Sequence, residues 1–107
     1  MLLLDDESSI RSSLKRLFRV DGYHILSAET AEQAFDMLAM NEVQVVISDQ
    51  RMPGMNGTEF LSRVKNMYPG TIRIILSGYA DLESVLNAIN RGEIYRFYTK
   101  PLSLIHI

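Results

Sequence analysis

Five short apolar runs alternate along this chain with segments whose apolar residues recur at helical spacing, and that alternation narrows the fold more than any single residue does. Leu2 to Leu4, His24 to Ala28, Val43 to Ser48, Ile72 to Leu76 and Ile94 to Thr99 predict strands. Between them, Ile10, Leu14, Leu17 and Phe18 predict a first helix, with Ser8 or Ser9 suited to its cap and Gly22 beyond its end. Thr30-Ala31-Glu32-Gln33 has the spacing of a capping box and opens a second helix with Ala31, Ala34, Phe35 and Leu38 on one face. Phe60, Leu61, Val64 and Met67 form the stripe of a third, closed by Pro69-Gly70. Asp81 can cap a fourth, whose Leu82, Val85, Leu86 and Ile89 share a face and which Gly92 ends. Strands apolar on both faces, each followed by a helix, predict a parallel sheet sandwiched by helices.

In such a sheet, ligands gather outside the carboxyl ends of the strands, where the strand order reverses. The run Val45-Val46-Ile47-Ser48-Asp49 ends there on a carboxylate and passes into Gln50-Arg51-Met52-Pro53-Gly54-Met55-Asn56-Gly57, too rich in Gly, Pro and Asn to continue a strand. An ionised side chain at the mouth of a buried strand needs a cation, a partner base or a covalent role to offset its desolvation. Asp5 and Asp6, Ser77 and Lys100 also fall at predicted strand ends, so residues far apart in sequence converge on one edge. Close carboxylates repel, and a hard oxygen-bound dication such as Mg²⁺ relieves this. An Asp can attack a phosphoryl group to give an acyl phosphate, with the metal and Lys100 neutralising oxygens and Ser77 donating a hydrogen bond. Singly, each residue has a plain structural explanation: a helix cap, a turn former, a solvated lysine. Their joint occurrence, in order and at strand ends, favours a site.

A chain of 107 residues has room for one domain and not for a second. With 11 basic and 13 acidic residues and no basic stripe, direct binding to nucleic acid or to an anionic membrane is not expected. There are no cysteines for disulfides or thiolate metal sites, no apolar run reaches membrane-spanning length, and the start lacks the pattern of a signal peptide. A soluble, cytoplasmic protein is the expectation.

Leu3-Leu4-Asp5-Asp6-Glu7, Ser48-Asp49-Gln50-Arg51-Met52-Pro53-Gly54-Met55-Asn56-Gly57, Leu76-Ser77-Gly78 and Thr99-Lys100-Pro101 together resemble the receiver domain of two-component response regulators, over Met1 to Pro101. The resemblance implies an α/β, flavodoxin-like, doubly wound five-stranded parallel sheet in the order 2-1-3-4-5. It also implies that Asp49 is the phosphoacceptor, loaded from a sensor histidine kinase. Asp6, Asp49 and the backbone carbonyl of Arg51 would then hold Mg²⁺, with Asp5 in support. Ser77 takes the place of the switch hydroxyl, Lys100 that of the phosphoryl contact and Phe97 that of the switch aromatic. Alternation along the fifth strand puts Tyr95 on the same face as Phe97. A cis peptide before Pro101 is usual in the family.

The same resemblance implies self-catalysed phosphoryl uptake and hydrolysis rather than an enzyme with an external substrate. It also implies an output domain in the full-length chain or in a partner protein, and a homodimer through the fourth helix and fifth strand. The stretch from Asn90 to Pro101 resembles receivers fused to cyclic-dinucleotide phosphodiesterase or ATPase-type outputs. Leu102 to Ile107 departs from the pattern: a fifth helix is expected there, and the six residues read like a translated sequencing-adapter end. The domain is therefore expected to span residues 1–101, with 102–107 a non-native tail. Two alternatives carry other functions. A haloacid-dehalogenase-like phosphatase wants a second Asp where this chain has Arg51, and a pseudo-receiver acting only by docking would be expected to have lost the acidic pair, the acceptor or the lysine.

Overall fold

A computed structural model describes the backbone of residues 1–5, 11–12, 15–16, 24–78 and 82–99. Five parallel strands form one sheet: β1 (Leu2–Leu4), β2 (Leu26–Ala28), β3 (Val45–Asp49), β4 (Ile72–Ser77) and β5 (Arg96–Thr99), in the order β2-β1-β3-β4-β5. This is the flavodoxin-like order the resemblance implied. Three helices are delimited: α1 (Ala31–Met40), α2 (Gly57–Met67) and α3 (Leu82–Asn90). Residues 11–12 and 15–16 are also helical, within the span of the first predicted helix. The apolar stripe of that helix, its cap and Gly22, the Asp81 cap, the peptide before Pro101 and the 102–107 tail lie outside the described residues.

The sheet is buried on both faces because its strands are apolar on both. Leu2, Leu4, Ala28, Val46 and Ile75 pack with Ala34 and Leu38 of α1, Phe60, Leu61 and Val64 of α2, and Val85 and Ala88 of α3. On the opposite face, Leu3, Ile47 and Leu76 are buried with Met1, Ile25, Val45 and Ile74 around them. Successive residues of one strand thus enter different clusters, as a two-residue period requires.

Helix boundaries follow local chemistry. Thr30 caps α1, its hydroxyl accepting from the Gln33 N–H at 3.2 Å, while the Gln33 side chain accepts from the Glu29 N–H, one residue before the position a capping box would use. At the end of α3, the Gly92 N–H donates to the Ile89 carbonyl and the Glu93 N–H to the Ala88 carbonyl, with Gly92 at φ 73°; this is a Schellman ending, which needs a left-handed residue at that place.

Several boundaries and faces differ from the sequence expectation. β2 begins at Leu26 rather than His24, and β5 at Arg96 rather than Ile94, although Ile94 is buried in the core. Alternation therefore does not reach Tyr95, which is 64% exposed while Phe97 packs against the core. On α3, Ala88 is fully buried and Leu86 is 43% exposed, so the inward face is rotated toward the small residue. Met67, in the last turn of α2, is more than half exposed.

Candidate functional site

The chain leaves β1 toward the β2 edge and leaves β3 toward the β4 side, so the connections after these two central strands diverge and open a crevice at their carboxyl ends. In the β1–β3 register Leu4 pairs with Ser48, and continuing by one residue sets Asp5 beside Asp49. Asp49 pairs with Leu76, and Ser77 pairs with Thr99, so Ser77 ends β4 one residue farther along. Asp5, Asp49 and Ser77 are 2%, 4% and 1% exposed. Three of the predicted site residues are therefore brought to one edge and buried there. Asp6 and Lys100 lie outside the described residues; Lys100 follows Thr99, the partner of Ser77.

The backbone around these residues is held by hydrogen bonds both across elements and between chain neighbours. The Asp5 N–H donates to the Ala28 carbonyl at 3.2 Å, and Arg11 donates to the Asp5 carbonyl while pairing with Glu29 at 3.1 Å. The Ser48 hydroxyl donates to the Asp49 carbonyl at 2.9 Å. The Ser77 hydroxyl donates to the Gly78 carbonyl at 3.0 Å. Arg51 is exposed at the start of the loop after β3.

That loop returns at Asn56, whose side chain caps α2 by accepting from the Glu59 N–H at 2.8 Å. The first helical residue, Gly57, lies so close to the end of β3 that an added Cβ would sit 2.3 Å from the Asp49 carbonyl oxygen and 2.9 Å from Ile75 Cδ1. The Gly57 N–H donates to the Gln50 carbonyl at 2.9 Å. A cleft of about 510 Å³ beside the strand end is lined by Gln50, Arg51, Met52, Pro53, Asn56 and Ser84.

Gln50 is the residue of the site that sequence reasoning missed. It is 5% exposed, and its side chain reaches α2: Oε1 accepts from the Thr58 N–H at 2.9 Å and Nε2 donates to Thr58 Oγ1 at 3.3 Å. The available signal was the spacing Asn56-Gly57-Thr58-Glu59, a helix start with a carboxylate in its first turn, which marks where the loop must return.

Two carboxylates side by side in a buried strand-end crevice are an unfavourable pair unless positive charge lies nearby, and hard oxygen donors of this kind suit Mg²⁺. Among the described residues, no group of three or more His, Cys, Asp or Glu forms a metal cluster; the third carboxylate of the expected set, Asp6, lies outside them. No helix among the described residues is long and apolar enough to cross a membrane.

The chain matches the response regulator receiver domain family over residues 1–107. It is 36% identical over 101 residues to the hydrogenase transcriptional regulatory protein HoxA of Cupriavidus necator, covering 94% of this chain and 21% of HoxA. It therefore spans about a fifth of the length of that curated relative. The sporulation initiation phosphotransferase F of Bacillus subtilis is 30% identical over 107 residues, which is all of this chain and 86% of that protein. Among solved structures, the signal receiver domain of an HD domain-containing protein from Pseudomonas fluorescens superposes with a TM-score of 0.86 at 42% identity, covering 94% of this chain and 74% of that one. With its strand order, its buried carboxylates at the switch point and these relatives, the chain belongs to the response-regulator receiver domain family.

Proposed function

We propose that this domain takes a phosphoryl group from a histidine kinase onto Asp49 and so switches an output module in a longer chain or a partner. The observation that carries this reading is the burial of Asp49 at the end of the central strand, beside Asp5 and one residue short of the level of Ser77. A carboxylate oxygen of Asp49 attacks the phosphorus of a phosphohistidine. The O–P bond forms as the P–N bond breaks, and the imidazole leaves with the electron pair and takes up a proton. Asp6, Asp49 and the Arg51 carbonyl would hold Mg²⁺, with Asp5 in support, and the ion would supply positive charge against the carboxylates and the incoming phosphoryl oxygens. Ser77 exchanges its bond to the Gly78 carbonyl for one to a phosphoryl oxygen, and Lys100 contacts the same group. Phe97, half-buried beside the core, follows Ser77 inward.

The phosphorylated state is read on the surface of α3 and β5, where Leu86 of α3 and Tyr95, just before β5, are exposed, through an output module or a homodimer. The domain works in the cytoplasm, and its only chemistry is its own phosphoryl uptake and loss. Exposure of the 107-residue chain to a small acyl phosphate with Mg²⁺, followed by intact-mass measurement, tests this. One hydroxylamine-labile phosphoryl group is expected in the parent and none in Asp49→Asn or in the presence of a chelator. Undiminished label in Asp49→Asn would refute the assignment, and absence of label in the parent would favour a docking module that works without phosphorylation.

A further inference from the structure

We propose that Gln50 is a positioning residue that sets the Mg²⁺ affinity of the site, by clasping the backbone between Asp49 and Arg51 to the first turn of α2. The inference rests on the phosphoacceptor reading above and names a residue that reading does not use. All four hydrogen-bonding groups of Gln50 are committed. Its N–H donates to the Leu76 carbonyl of β4 at 2.9 Å, and its carbonyl accepts from the Gly57 N–H at 2.9 Å. Its side-chain amide closes a two-point bond with Thr58, accepting from the N–H and donating to the hydroxyl. Thr58 Oγ1 in turn donates to Asn56 Oδ1 at 2.9 Å, and that oxygen also caps the Glu59 N–H. One chain of bonds thus runs from the acceptor strand through Gln50 to the helix cap.

The reason for such a brace lies in the metal. Mg²⁺ demands near-ideal octahedral geometry at short distances, so a ligand set containing a main-chain carbonyl is only as good as the backbone that aims it. Arg51 opens an exposed loop, and Gln50 is the residue that joins it to Asp49. A buried polar side chain, 5% exposed and bonded at both ends of its amide, holds that junction where a purely apolar side chain would leave the loop to set its own geometry.

The experiment measures Mg²⁺ binding by calorimetry and, separately, the Mg²⁺ dependence of phosphoryl uptake. It uses the parent chain, Gln50→Met, Thr58→Val and Thr58→Ser. Gln50→Met keeps side-chain length and loses both amide bonds; Thr58→Val loses only the hydroxyl; Thr58→Ser keeps it. Gln50→Met is expected to weaken Mg²⁺ binding roughly tenfold, as outer-shell partners of metal ligands do. Thr58→Val weakens it less and Thr58→Ser restores it, while uptake at saturating Mg²⁺ stays within about twofold of the parent in each. Parent-like Mg²⁺ affinity in Gln50→Met, or a loss confined to the maximal rate, overturns the proposal. If Gln50→Met does not fold, equal affinities in Thr58→Val and Thr58→Ser overturn it. A parent that takes no phosphoryl group removes the underlying reading, and this one with it; a labelled parent with unaltered Gln50 and Thr58 variants removes this one alone.

Discussion

At the scale of single residues, Gly57 shows how tertiary contact reverses a local preference. Replacing a helical glycine by alanine ordinarily stabilises by about 1 kcal/mol. Here the new methyl would meet the Asp49 carbonyl oxygen at 2.3 Å, a backbone atom with no freedom to swing away. Gly57→Ala is expected to cost about 1–3 kcal/mol, the usual range for overpacking, read from denaturant unfolding. A stabilised variant would show that α2 can shift outward at no cost. Phe60, fully buried with its ring 5.0 Å from that of Phe35, presents the opposite case. Phe60→Ala leaves a void at the centre of the larger core and is expected to cost about 3–5 kcal/mol in the same measurement.

Among elements, α3 is secured at its carboxyl end by bonds from β4 and from α2. The Arg73 guanidinium of β4 donates to the carbonyls of Pro69, Thr71, Gly92 and Glu93, joining the loop before β4 to the loop after α3. Lys65 of α2 donates to the Arg91 carbonyl at 3.3 Å, and Ser62 to the Glu93 carboxylate at 3.4 Å. The Arg91–Glu93 ion pair at 3.3 Å is partly exposed and adds little by itself. Gly92→Ala, forced to φ 73°, is expected to lose about 1 kcal/mol of stability. Arg73→Met is expected to speed hydrogen exchange at the amides of residues 91–95 while leaving Val46 and Ile47 protected. Equal acceleration at both places would mean that Arg73 supports the whole fold and not this junction.

Across the whole molecule, protection should follow the sheet order. β1 and β3 are central, paired on both sides and apolar on both faces, whereas β2 is an edge strand paired only with β1. Hydrogen exchange is therefore expected to be slowest in β3 and faster in β2, and the site borrows its rigidity from the slowest strand. Asp49, at the end of β3, would on this expectation be held by the most protected strand of the sheet. Exchange at Val46 to Ser48 as fast as at Leu26 to Ala28 would contradict this.

The sequence alone determined the existence and order of the five strands and the three delimited helices, because short apolar runs and a 3.6-residue period are both local signals. It also determined which polar residues end the strands, and with them Asp5, Asp49 and Ser77. Packing settled what periodicity could not. Leucine at 86 is the more apolar candidate for the inward face of α3, yet Ala88 lies buried there and Leu86 is left half exposed. Tyr95 falls in phase with Phe97 in the sequence, but β5 begins one residue too late to carry the alternation back to it. The clasp between Gln50 and Thr58 joins residues eight apart, across a loop with no period at all. Such a contact exists only once β3 and α2 have been brought together by the core beneath them, and for that reason only the tertiary structure could decide it.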